Sequence, residues 1–256
     1  MSYPYIIWTM RRTGGTTLAS LLATLSEHPG IQHEPFNVER ELGHVTKAFA
    51  QSGDADQLRV DLQSSLAETP VIKHCYEDFS PAFNCAFMEV ATALGYRHLV
   101  LDRRSETDRI ISLELAKLTG AWGGKGAGEI YPAIEAGDVV LEPMDIDGMC
   151  ARMSHYHAQR QKFQDLAHDA AVPPFVIFFE DVYSDPDAGR ALITRLLAFL
   201  EIVPEDQAAY EALVSDALLL RGQNSARILQ MVPNKQAVKE TLDALQATQS
   251  MVFAAS

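Results

Sequence analysis

The segment Tyr5-Ile6-Ile7-Trp8-Thr9-Met10-Arg11-Arg12-Thr13-Gly14-Gly15-Thr16-Thr17-Leu18 gathers the side chains best suited to holding an anion. Arg11, Arg12, Thr13, Thr16 and Thr17 crowd a pair of glycines, between an apolar run and a helical pattern carrying Leu18, Leu21, Leu22 and Leu25. A strand that feeds a helix through such a turn aims several backbone N–H groups, and the positive end of the helix dipole, at one point. That point most often takes a phosphate. The phosphate loop of nucleotide hydrolases reads G-x-x-x-x-G-K-[ST], and its last hydroxyl holds Mg²⁺ on a triphosphate. This turn differs: no lysine precedes Thr16, and the Gly124-Lys125 pair is followed by Gly126. Residues Arg12, Thr13, Gly14, Gly15, Thr16 and Thr17 are therefore expected to form an anion loop without an obligatory metal.

A second cation–hydroxyl pair follows the run His98-Leu99-Val100-Leu101-Asp102. Arg104 stands just beyond its end, and Ser112 lies eight residues further along a helical pattern. In open α/β sheets ligands collect at the carboxyl ends of the strands, so Arg104 is expected on the rim that carries Arg12. Two anion sites on one rim suit a nucleotide phosphorylated at both ends. The plainer readings are a surface salt bridge of Arg104 with Glu106 or Asp108, and an ordinary helix serine.

These residues need a scaffold, and the hydrophobic pattern supplies one. Short β-branched runs at Tyr5–Thr9, Val71–His74, His98–Asp102 and Phe175–Phe179 fit strands of a mainly parallel sheet covered on both faces. Helical patterns at 16–25, 82–94, 107–118 and 148–170 alternate with them, as in an α/β three-layer sandwich. Residues 120–143, rich in glycine and holding two prolines, read as an inserted or mobile loop able to cover a substrate. From 187 to 256 the chain turns helical, with patterns at 188–200, 206–220 and 235–247. No repeat, low-complexity tract or linker is present, and a single domain over 1–256 is expected.

Bulk properties narrow the function. A chain of 256 residues with 47% hydrophobic content can bury a substantial core. Its net charge of −13 argues against a nucleic-acid surface or a polybasic membrane patch, so any bound phosphate must be held by local positive charge. Cys75, Cys85 and Cys150 form neither a spaced metal set nor an even disulfide framework, which points to a reducing, cytoplasmic setting. The chain enters its first strand without a basic leader, so no signal peptide is expected. No apolar run approaches the ~20 residues of a membrane span. His155 and His157, two apart on a helix, cannot share a metal, and Cys75 beside His74 reads as core.

The combination of motifs resembles the bacterial-type sulfotransferases that use 3′-phosphoadenosine 5′-phosphosulfate (PAPS). In that family a loop of the kind [KR]-[ST]-G-[ST]-T binds the 5′-phosphosulfate, and an Arg followed eight residues later by Ser binds the 3′-phosphate. Arg12-Thr13-Gly14-Gly15-Thr16 matches the first, with Gly15 standing where a hydroxyl residue is usual; Arg104 with Ser112 matches the second. Further likeness lies in His33-Glu34-Pro35-Phe36-Asn37, in Thr119-Gly120-Ala121-Trp122, and in Phe178-Phe179-Glu180-Asp181-Val182 followed by Asp185-Pro186 and a Leu-rich helix. Their order extends the resemblance over most of the chain.

The resemblance implies direct in-line sulfuryl transfer from PAPS, leaving adenosine 3′,5′-bisphosphate, to a hydroxyl of a carbohydrate, lipid or small metabolite, with no metal required. Such chemistry relies on positioning and on charge stabilisation at the leaving phosphate. Arg12 suits that phosphate through its fork of donors. Lys73, at the end of the second strand, is a further donor, or else a strand-end lysine reaching solvent. Two bases present themselves. Glu34 lies where some family members carry a catalytic carboxylate, and His74 follows Lys73 much as a catalytic histidine follows in Lys-x-His. Alternation along a strand points Lys73 and His74 to opposite faces, which favours Glu34. The plain reading of Glu34 is a salt-bridged turn residue before Pro35. Arg221 is a further candidate for the 3′-phosphate. Two other classes remain in view: a Mg²⁺-dependent kinase or hydrolase using Thr16 with Asp102 or Asp181, and a non-catalytic nucleotide-binding protein.

Overall fold

The computed structural model describes residues 2–30, 33–170, 172–219 and 225–256. They form an α/β architecture around four parallel strands, β1 (Tyr5–Thr9), β2 (Ile72–Cys75), β3 (Arg97–Asp102) and β4 (Phe175–Phe178), in the order β2-β1-β3-β4. The chain steps outward from β1 to β2, then crosses back to β3. The carboxyl end of β1 therefore sits at the topological switch point of the sheet, where α/β folds place their ligands. In register, Ile7 stands beside Lys73 and Leu99, Trp8 beside His74 and Val100, and Thr9 beside Cys75 and Leu101.

The described residues group into two compact units. The first comprises Met1–Asp102, Arg160–Leu219 and Phe253–Ser256; the second comprises Arg103–Gln159 and Leu220–Val252. In the first unit, alternation along the strands sorts the residues into two layers. Tyr5, Ile7, Leu99, Leu101 and Ile177 pack with α1 (Gly15–Leu25) and with two later helices. The opposite face of β1 turns Trp8 toward Phe87 and Phe163. Along the outer edge of β2, Gly30 bridges Val71 and the Glu34 N–H donates to the Lys73 carbonyl at 3.0 Å, so a loop covers an edge that would otherwise be exposed.

Two helices, α2 (Gly43–Ser52) and α3 (Ala55–Ser65), fill a stretch in which the sequence pattern shows no element. Asp54 starts α3 by accepting the amides of Asp56 and Gln57 at 3.0 Å each. Next come α4 (Pro81–Ala93), capped by Ser80 and opened by Pro81, and α5 (Glu106–Thr119), capped by Ser105. The expectation of a loop over 120–143 is corrected: the segment contains α6 (Gly124–Ala136), with Pro132 inside it. Packing overrides composition there, because Ala127, Tyr131 and Ile134 join the buried core of the second unit. The remaining helices are α7 (Ile146–His168), α8 (Phe179–Tyr183), α9 (Pro186–Leu200), α10 (Gln207–Leu219), α11 (Ser225–Leu229) and α12 (Lys235–Gln246). No helix among the described residues is long and apolar enough to cross a membrane.

The Trp8 layer buries two imidazoles. Trp8 Nε1 donates to His98 Nδ1 at 3.0 Å, which leaves His98 Nε2–H for Thr92 Oγ1 at 2.8 Å. His74 Nε2 lies 2.9 Å from Asn84 Oδ1, and Asn84 Nδ2 donates to the Tyr76 carbonyl, so His74 must be the donor of its pair. Burial drives both rings down to about 4, with Asn84 and Glu34 pulling weakly upward on His74. Since these folded values lie below the ~6.5 of an exposed imidazole, the unfolded chain binds more protons between the two. Stability contributed by the neutral rings is complete above that window and falls as pH drops through it. Replacing His98 with Gln should flatten the fall in urea midpoint between about pH 6.5 and 4. An unchanged slope would mean that His98 does not titrate as a buried neutral ring.

Candidate functional site

The turn after β1 is built around two hydroxyls. Thr9 Oγ1 donates to the Leu101 carbonyl at 2.9 Å, Thr13 Oγ1 donates to the Met10 carbonyl at 2.7 Å, and the two hydroxyls touch. Both residues are fully buried, so the Thr13 side chain organises the turn from within rather than lining its mouth. Closing the turn requires two left-handed residues, Arg12 at φ 71° and Gly14 at φ 78°. Gly14 suits that geometry, and a β-carbon there would fall 2.7 Å from the Phe179 ring. For Arg12 the conformation carries strain of about 1–2 kcal/mol, of the kind that persists where surrounding structure fixes it. Arg12 is half-buried, and beyond it α1 begins, after Gly14, at Gly15, with no side-chain cap and no acidic residue in its first turn. The helix start thus presents backbone donors and a positive dipole end, with Thr16 exposed and Thr17 half-buried beside them.

Arg11 is engaged differently from Arg12. Its amide donates to Glu77 Oε1 at 2.6 Å and its guanidinium pairs with Asp78 at 2.7 Å, tying the turn to the 3-10 segment Tyr76–Asp78 that follows β2. Arg11 is thus drawn to acidic partners just beyond β2.

Lys73, next to Ile7 in the sheet, shares the α1 face, and its stem lies against the loop: a β-carbon at Gly15 would fall 3.1 Å from Lys73 Cε and 3.3 Å from Thr9 Cγ2. A larger residue at 15 would have to displace that stem, which gives a physical reason for glycine where the resembled loop carries a hydroxyl residue. Lys73 Nζ pairs with Glu34 Oε1 at 2.5 Å, with only 8% of the lysine side chain and 19% of the carboxylate side chain exposed. The Cys75 thiol, on the same face of β2, lies 3.3 Å from the same oxygen, and Asn37 Nδ2 donates to Oε2 at 2.9 Å. Glu34 itself has a left-handed backbone, φ 56°. Burial alone would raise its pKa, but the charge and hydrogen bond of Lys73, with Cys75 and Arg11, outweigh it and hold the carboxyl at about 2. For Lys73, burial pulls downward while Cys75 and Glu34 carry the ammonium above its ordinary value. The pair is therefore fully ionised near neutrality. Its carboxylate contribution to stability is present above the ordinary glutamate range and is lost as pH falls through about 2.

The structure brings Glu34 to Lys73, and Lys73 to the loop. His74 goes elsewhere: its ring is fully buried against Phe79 and Phe83, on the Trp8 face of β2. Arg104 and Ser112, both half-buried, belong to the second unit, one just before the Ser105 cap of α5 and the other two turns into it. There Gln246 of α12 clamps the start of α5, its amide group donating to the Arg104 carbonyl at 3.0 Å and accepting from Thr107 N–H at 2.8 Å. Arg109 meets Glu106 in a two-pronged pair at 2.7 Å, and Arg103 stands 3.8 Å from Asp108. Arg221 lies outside the described residues. Asp102 pairs with Arg160 at 3.0 Å, both buried. No group of three or more His, Cys, Asp or Glu that could hold a metal occurs among the described residues. Sequence reasoning missed Asn37, Cys75 and Gln246 as parts of these arrangements; only Asn37, three residues from Glu34 in the quoted motif, offered a local signal.

Comparison with protein-family models, with curated proteins and with solved structures yields no match.

Removing one partner of a buried ion pair strands the other charge. Lys73→Met should cost about 3 kcal/mol or more in chemical denaturation, and adding Glu34→Gln to it should recover much of the loss. Simple additivity of the two single losses would show that the pair is not coupled.

Proposed function

We propose that this chain is a PAPS-dependent sulfotransferase acting on a hydroxyl of a carbohydrate, lipid or small metabolite. The observation that carries the reading is the Lys73–Glu34 pair set against Gly15 of the loop. An anion loop alone suits many nucleotides, but an ammonium and a carboxylate beside it provide, in one place, the cation and the proton acceptor that group transfer to a hydroxyl requires. The donor set fits an anionic ligand: backbone N–H groups at an uncapped helix start, Arg12 at the turn, and Lys73 alongside. The position of β1 at the switch point of the sheet supports the same placement.

In this reading bound PAPS supplies an activated sulfuryl group, whose bond to the 5′-phosphate breaks as the acceptor oxygen bonds to sulfur. Glu34 takes the hydroxyl proton. Arg12 and Lys73 neutralise the charge that grows on the leaving phosphate, helped by the N–H groups of Gly14 to Thr17. The family resemblance assigns Arg104 and Ser112 to the 3′-phosphate, and Gln246 fixes the backbone at Arg104. His74, neutral and enclosed by aromatic rings, is assigned no part in the proton transfer.

Calorimetric titration with adenosine 3′,5′-bisphosphate, 5′-AMP and Mg²⁺-ATP tests the reading without knowledge of the acceptor. The bisphosphate is expected to bind best and without metal; preference for Mg²⁺-ATP would move the chain among kinases or hydrolases. Arg104→Ala should weaken the bisphosphate roughly ten- to a hundredfold while sparing 5′-AMP, as loss of one charged hydrogen bond requires. Equal weakening of both ligands would remove Arg104 from the 3′-phosphate. Glu34→Gln should abolish sulfuryl transfer to an identified acceptor while keeping nucleotide affinity, and retained turnover would exclude Glu34 as the base.

A further inference from the structure

A carboxylate locked to an ammonium is a poor base, and the geometry around Glu34 suggests how that conflict is resolved. Glu34 is the fixed member of the pair. Its N–H is bonded to the Lys73 carbonyl, its Oε2 is held by Asn37, and its Oε1 faces the Cys75 thiol. The ammonium is the movable member, because it ends a flexible four-carbon stem and carries three donors, of which the Glu34 contact uses one. That stem rests on Gly15, the first residue of α1. A short swing of Nζ therefore exchanges one anionic partner for another, from the Glu34 carboxylate to a group held at the start of α1.

We propose that Lys73–Glu34 is an anion-released base: an anionic group seated on the Arg12–Thr17 loop draws Lys73 off Glu34, and the carboxylate can accept an acceptor proton only while that anion is bound. The inference rests on the sulfotransferase reading for the identity of the anion, but the release itself requires only an anion at the loop. Once the ammonium leaves, the titratable groups still within electrostatic reach of Glu34 are Cys75 on β2, Arg11 in the turn, His33 on its own segment, Asp78 beyond β2, and, from the other face of the sheet, the buried His74. Arg11, paired with Asp78, still favours the ionised carboxyl through its charge. Burial, until then outweighed, raises the proton affinity of the carboxyl. In turnover the acceptor hydroxyl gives its proton to Glu34 as its oxygen bonds to sulfur, and the bond to the leaving phosphate breaks beside Lys73. Acceptor activation thereby follows donor binding in a compulsory order.

The test follows the Glu34 carboxyl directly, by ¹³C NMR of protein labelled at glutamate carboxyl carbons, with Glu34→Gln identifying the signal. Without anion the Glu34 signal should remain in its ionised position as pH is lowered to about 4. Saturating adenosine 3′,5′-bisphosphate, or inorganic pyrophosphate as a simpler anion, should move its midpoint from about 2 to about 4 or above. In Lys73→Gln, which keeps a donor but loses the charge, the midpoint should already be high and should not respond to the anion. If the bisphosphate binds and the Glu34 midpoint stays low, the release mechanism fails while the sulfotransferase reading stands. If pyrophosphate binds and shifts the midpoint but the bisphosphate does not bind, the release stands and the sulfotransferase reading fails. Binding of neither anion overturns both.

Discussion

β1 bears the greatest constraint in the first unit. All five of its residues are buried, and it is hydrogen-bonded on one side to β2 and on the other to β3. A strand paired on both edges and packed on both faces cannot shift its carboxyl end without breaking two ladders at once. Whatever grows from Thr9 is consequently held to the sheet. The hydroxyls of Thr9 and Thr13 carry that rigidity one step beyond the strand, because they spend their hydrogen bonds on the carbonyls of Leu101 and Met10. The turn is therefore fixed from its underside, at the point where α1 begins.

Strain and charge are concentrated around that fixed point. Among the described residues, four non-glycine residues take a left-handed backbone: Arg12, Glu34, Thr69 and Glu201. Glu201 has an ordinary reason, since it ends α9 with its N–H bonded to the last turn. Arg12 and Glu34 have no such local role, and both belong to the candidate site. Local conformational cost here coincides with a buried ion pair, itself a weak source of net stability because both charges must be desolvated. Apolar residues in place of both Lys73 and Glu34 would often cost a fold no stability.

The sheet was largely legible in the sequence. Tyr5–Thr9 is observed with its expected bounds, and the other three strands lie within one residue of theirs, because short β-branched runs bounded by turns leave little freedom for strands buried on both faces. The opposite facing of Lys73 and His74 was legible for the same reason, as a consequence of period-two alternation. Helices α2 and α3 were not, since α3 has few apolar positions and is fixed chiefly by the Asp54 cap and by burial of Leu58 and Leu62. Glycines in α6 concealed a helix that tertiary packing maintains. The passage of the chain between units after Asp102 and again after Gln159 carries neither proline nor glycine, and the charges there sit within ordinary strand and helix patterns. Contacts such as Cys75 with Glu34 join residues 41 positions apart and have no local signature.

Gln246 carries a consequence for how the chain matures. Its amide completes the backbone around Arg104 and Thr107 from 142 and 139 residues away. During synthesis the ribosome delivers β3 and the start of α5 long before α12, so the turn bearing Arg104 waits, without its clamp, for almost the entire chain to emerge. The first unit's turn faces no such delay, since Thr9, Thr13 and Met10 satisfy one another within a few residues and Leu101 follows well before the end. Loss of the last helix by truncation or proteolysis would thus spare the β1 turn's own contacts while unfastening the Arg104 turn. The turn after β1 and the turn bearing Arg104 would thus be completed at different times, in the order in which they leave the ribosome.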